Sequence, residues 1–200
     1  MCEDTPVEHF TQAWVCKFSP DQTAYARAKS HLIAPQLADF EALGMVPEDG
    51  TEYREGNLIT TAGLGRLTNF LIGTGSLVGF TATTTRIGVG DATTAAAAAD
   101  TDLGAAAGST HRWFQVVDSA PTRVTTTVTN DAVQAVATFA SGDGNFAWQE
   151  WAFNLGTATV ASSNAVDASA GACFFNHKIA SFGTKSSGAS WAFTSKITFS

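Results

Sequence analysis

Charge is scarce in this chain of 200 residues, where Asp, Glu, Lys and Arg make up 14%, against about a quarter in ordinary soluble domains. The eleven Lys and Arg are dispersed. Nucleic-acid binders need clustered cations to displace counterions from phosphate, so direct DNA or RNA binding is excluded. Cysteine is equally sparse. Cys2, Cys16 and Cys173 cannot all pair and show no C-x-x-C spacing, which excludes a disulfide scaffold and a zinc finger. The apolar runs are broken within a few residues, far short of the roughly 20 residues a membrane helix needs. The opening Met1-Cys2-Glu3-Asp4 is acidic and lacks the basic and apolar regions of a secretory signal, so the expectation is synthesis and retention in the cytoplasm until assembly. Catalytic motifs are missing too. Ser76 has Thr74 where a G-x-S-x-G elbow needs its first glycine, and Gly-Lys-Ser/Thr occurs nowhere. Gly73 to Gly79 misses G-x-G-x-x-G by one residue and follows a helical pattern, so it reads as a turn.

Hydrophobic residues, at 44%, are ample for a folded core. The net charge of −7 is uneven: residues 1–57 hold ten acids and four bases, leaving a net of only −1 for the remainder. Ser19-Pro20-Asp21-Gln22 combines a cap, a proline at the first helical position and a glutamine three residues on, predicting a short helix from about Pro20 to Ser30. A further helical turn is expected through Leu37, Phe40 and Leu43, between Pro35 and the Gly44–Gly50 loop. Trp14, Phe18, Tyr25, Phe40 and Tyr53 are much aromatic surface for so little regular structure. They need something to pack on, and the reading is that they form an assembly interface on an N-terminal arm, residues 1–56. An acidic arm suits a basic protein surface.

Residues 57–200 read as a β-sandwich body with its own core, expected to fold without the arm. A helix over 58–72 is predicted from the apolar spacing, with Asn57 as cap and Gly73 as stop; Gly63 and Gly65 inside it imply that another backbone passes close by. Strands follow at Arg86–Gly90, Arg112–Asp118, Arg123–Thr129 and Val133–Ala140, the last two joined across Asn130-Asp131. The Ala95–Ala99 run reads as one helical turn or an extended loop. In Phe146–Leu155 the apolar parity slips near Gln149-Glu150, which means a bulge or a strand covered on both faces. Cys173–Phe182 is apolar on both parities. Trp191, Phe193, Ile197 and Phe199 alternate with residues assigned to a wet face. The fold class is therefore mainly β, an antiparallel β-sandwich with one packed helix and an N-terminal extended arm carrying short helices.

Reactive constellations are few. His9, His31, His111 and His177 are dispersed singles and read as surface or structural groups. Asp91 with Asp100 and Asp102, and Asp143 with Asn145, are oxygen clusters that read as turns, since neither has EF-hand spacing. No metal or cofactor is expected. Glu150, between Trp148 and Trp151, is the one carboxylate in a strand built for burial, and a bridge to Arg112 or Lys178 is expected for it unless a bulge exposes it.

Arg86-Ile87-Gly88-Val89-Gly90-Asp91-Ala92-Thr93-Thr94, with Ala97-Ala98-Ala99-Asp100-Thr101-Asp102-Leu103, resembles the I-x-V-G-x-G-x-T-x-A-x-x-x-D-T-x-L stretch of structural proteins of tailed bacteriophages. Asp91 stands where that pattern more often has glycine. Asn57 to Gly63 before it and Asn145 to Trp151 after it are framed similarly, so the resemblance covers roughly 57–182. It implies a virion location after synthesis in the host cytoplasm, an assembly role without catalysis, contacts with major capsid or tail subunits, and a homo-oligomer such as a trimer. A capsid decoration or cement protein is the leading expectation, because the chain lacks the repetitive shaft of a fibre. A tail or fibre-attachment protein, or a receptor- or glycan-binding module, is the alternative.

Overall fold

The computed structural model describes residues 11–56, 58–75, 79–127 and 130–199. In chain order the elements are β1 (Thr11–Phe18), α1 (Pro20–Ser30), α2 (Leu37–Ala42), β2 (Asp49–Glu55), β3 (Leu58–Ile59), α3 (Thr61–Ile72), β4 (Thr85–Gly90), β5 (Arg112–Val116), β6 (Thr122–Thr127), β7 (Asn130–Phe139), β8 (Ala147–Leu155), β9 (Cys173–Phe174), β10 (Asn176–Thr184) and β11 (Ser190–Phe199). One antiparallel sheet runs β2-β1-β11-β7-β6 and the other β3-β10-β8-β4-β5, with β9 added beside β8. The fold is mainly β, as expected, and the two sheets enclose a common core. Val15 and Phe193 from one sheet meet Trp151, Phe153 and Phe182 from the other. Phe193 lies 5.3 Å from Trp151 and 5.2 Å from Phe182, centroid to centroid. Burying side chains of this size stabilises by about 1.5–3 kcal/mol each.

The separate N-terminal arm is corrected by the strand pairing. β1 lies between β2 and β11, in register with β11 from Thr11 opposite Ile197 to Phe18 opposite Ser190. Residues 11–55 thus supply two of the five strands of one sheet. The helix predicted from Ser19 is present, and Ser19 and Gln22 form the reciprocal cap. Phe18 and Phe40 stack at 3.9 Å with their planes 8° apart, both buried. With Ala26 they form a small second core over the outer face of β1. Phe18 and Phe40 are therefore internal to the chain and cannot be an assembly interface. Trp14 is half-buried, opposite Thr194, while Tyr25 is 52% exposed. Tyr53 pairs through its backbone with Trp14, and its side chain lies outside the described residues.

The face of β11 assigned to water is largely covered as well. Ala192, Thr194 and Thr198 are buried, because β11 is the central strand of its sheet. Ser190 donates its amide to Thr23 of α1, which lies across that end. The 58–72 helix begins later than predicted, with Thr60 as its cap, and stops at Gly73; Asn57 lies outside the described residues. A Cβ on Gly63 would collide with the Phe175 carbonyl, so that glycine does mark a close backbone, whereas Gly65 faces open space. Asn130 and Asp131 are not the hairpin turn but the first residues of β7, paired with Thr127 and Thr125. The parity slip in β8 coincides with a bulge. Four steps along β10, from Ile179 to Gly183, oppose the two from Glu150 to Trp148.

Candidate functional site

β8 is buried on both faces because the outer side of its sheet is roofed by two loops, residues 91–111 and 156–172. A third apolar cluster, of Leu103, Phe114, Ala152 and Phe174, forms under this roof. Polar side chains from β4, β8 and β10 point into the same layer, and they are the candidate site. The Ala95–Ala99 run is irregular, with a turn at its end, and supplies the rim.

At its centre is His177. Its Nε2 lies 2.7 Å from Oε2 of Glu150, and its Nδ1 lies 2.6 Å from Oδ2 of Asp100. Glu150 is fully buried, and its two oxygens also accept the amides of Gly104 (2.9 Å) and Ala105 (2.8 Å). Asp100 accepts the amide of Ala97 at 2.7 Å. A neutral imidazole donates to only one of these two groups, whereas the imidazolium, favoured by the raised His177 pKa, donates to both. The electrostatics agree. Burial pushes the His177 pKa down, but the hydrogen bonds and charges of Glu150 and Asp100 outweigh it and leave the value raised. Burial likewise pushes Asp100 up, yet the Ala97 amide and His177 hold it below the ordinary carboxylate value.

The G-x-G spacing of β4 follows from this layer. Gly88 and Gly90 point outward, where a Cβ on Gly88 would come within 2.5 Å of the Phe114 ring and one on Gly90 would overlap Oε1 of Glu150. Leu103, at the end of the D-T-x-L stretch, anchors the first loop in the outer apolar cluster. Arg86 anchors the second loop. Its guanidinium donates to the Ala161 carbonyl and Ser163 Oγ, both at 3.1 Å, and to Oδ1 of Asn154, and lies over the Phe114 ring. Arg112 ties the loops together, reaching Asp102 at 2.7 Å and the Asn164 carbonyl at 2.9 Å. Asp91, in the glycine position of the motif, bonds Nδ1 of His111 at 2.7 Å and does not adopt positive φ.

Glu150 therefore has neither of its expected partners. Arg112 is taken by Asp102, and the bridge goes to His177, which the sequence leaves as a single. A histidine in a strand apolar on both parities was the available signal, since a buried imidazole requires partners. Asp91, Asp100 and Asp102 diverge to His111, His177 and Arg112 respectively. Among the described residues no three His, Cys, Asp or Glu are placed to hold a metal ion.

Beside His177 is an open hollow of about 250 Å³ lined by Thr94, Asp100, Thr101 and Asp102. Its imidazolium has no lone pair to offer as a base, and both its protons are engaged. The arrangement welds two loops to a sheet and gives the molecule a fixed outer plate. No protein family, curated protein or solved structure matches the chain.

Proposed function

We propose that this chain is a structural subunit of a tailed-bacteriophage virion, a capsid decoration or cement protein that binds neighbouring shell subunits and carries no catalytic activity. The observation that carries an assembly role is the outer face of α3. Leu64, Leu71 and Ile72 are 47%, 87% and 64% exposed there. The only charged residue of the helix, Arg66, is buried and donates to the Gly171 carbonyl. An uncharged, apolar helix face on a chain of net charge −7 is a surface suited to a neighbouring subunit. The phage-like stretch supports the same reading: its Leu103 and Asp100 tie the 91–111 loop to the sheet through the outer apolar cluster and His177. The interface proposed here lies on α3 and not on the buried Phe18 and Phe40; among the described N-terminal aromatics Tyr25 is 52% exposed.

Complementation with a Leu71→Asp/Ile72→Asp variant tests this reading. The variant should fold, by circular dichroism, and be lost from purified particles, whose heads then fail sooner on heating. A variant incorporated at wild-type occupancy would overturn it. Recovery of the wild-type chain with tails alone would retain the virion role and reject the head.

A further inference from the structure

Lys185 follows β10, and its backbone amide bonds the Phe146 carbonyl at 3.1 Å. The side chain is 1% exposed. Its Nζ lies 2.7 Å from Oδ1 of Asn145 and 2.8 Å from the Ala140 carbonyl. Asn145 is held on its other side, donating Nδ2 to the Ser141 carbonyl at 3.0 Å. Asp143, in the same turn, is near enough to attract the Lys185 charge. A buried amine, an oriented carboxamide and a partly buried carboxyl group therefore converge on one turn.

From this convergence we propose that Lys185 and Asn145 form an intramolecular isopeptide bond, with Asp143 as the proton carrier. The nucleophile must be the neutral amine. Burial lowers the Lys185 pKa to about 8, against the opposing pull of Asp143, so much of the amine is neutral in mildly alkaline solution. Burial likewise pushes Asp143 up, against the Lys185 charge and a hydrogen bond donated by the Ala140 backbone, which suits a group that takes and returns a proton.

The Nζ lone pair attacks Cγ of Asn145 and the carbonyl π pair moves to Oδ1. The tetrahedral species gives a proton from Nζ to the Asp143 carboxylate, which passes it to Nδ2. The carbonyl re-forms, the Cγ–Nδ2 bond breaks, and ammonia leaves. One C–N bond is made and one is broken, so no oxidant, reductant or second substrate is required. The product would fasten the end of β10 to the β7–β8 turn, giving the chain a covalent staple independent of its cysteines.

Intact-mass spectrometry of the full chain, denatured after incubation at about pH 9, tests the step. The wild type should fall below its sequence mass by one ammonia, about 17 Da. Its peptide map should show Lys185 resistant to trypsin and joined in a branched peptide to Asn145. Lys185→Met and Asn145→Ala should remain at sequence mass, and Asp143→Ala should slow the loss at least tenfold. Wild-type protein that stays at sequence mass overturns the proposal. So does the same mass loss found in a linear peptide, which is a succinimide at Asn145, or a branch to Asp143 with loss of water.

Discussion

Glu150 and His177 face each other across β8 and β10 at 2.7 Å, both sealed from water, and each is satisfied by groups from the 91–111 loop. Replacing His177 with Ala strands a buried carboxylate. A loss of about 3–5 kcal/mol in folding free energy is expected from chemical denaturation. The loop amides of Gly104 and Ala105 should exchange faster with deuterium. Retained stability with unchanged protection would show that the weld is unimportant.

The same network sets a pH window. The folded His177 pKa lies above its ordinary value of 6.5, so its contribution is complete below that value and is lost as pH rises through the folded pKa. Asp100 lies below its ordinary 3.8, so its contribution is present above that value and is lost as pH falls through the folded pKa. The Tm difference between wild type and His177→Gln should therefore be largest between the two ordinary values and shrink on the alkaline side. A difference that does not vary with pH would contradict an imidazolium.

Two glycines two residues apart, on opposite sides of α3, should respond with opposite sign. Gly65→Ala, in open space, should stabilise by about 0.5–1 kcal/mol through helix propensity. Gly63→Ala must push the Phe175 backbone aside and should cost about 1–3 kcal/mol. Thermal melts of the two variants decide it.

Removal of residues 1–56 should not leave a soluble β-body. It strips β1 from β11 and uncovers the edge of a strand whose two faces are apolar or covered. Aggregation on refolding is expected, measured by light scattering, and a monomeric, cooperatively melting fragment would be evidence against this sheet order. Phe40→Ala, which removes half of a buried stacked pair, should cost about 3–5 kcal/mol. Tyr25→Ala, at an exposed position, should stay within about 0.5 kcal/mol.

Local signals were legible where local physics decides. The Ser19 cap, the Gly73 stop, the parity slip in β8 and the close backbone at Gly63 all appear in the structure. The place of the N-terminal segment is not legible, because β1 pairs with a strand about 180 residues away and pairing at that separation leaves no periodic trace. The polar layer was half legible. Glu150 stands out against its apolar neighbours, but its partner His177 is 27 residues away and Asp100, which bonds the imidazole from the other side, is 77 residues from His177, and only the fold brings them together.

The proposed docking of this molecule onto a virion lattice is tested most directly by electron microscopy of the particle that carries the chain. Sandwich-shaped density is expected on the capsid shell, with Leu64, Leu71 and Ile72 of α3 turned into the contact with neighbouring subunits. Purified particles without the chain, or density in which that helix face looks into solvent, would contradict it.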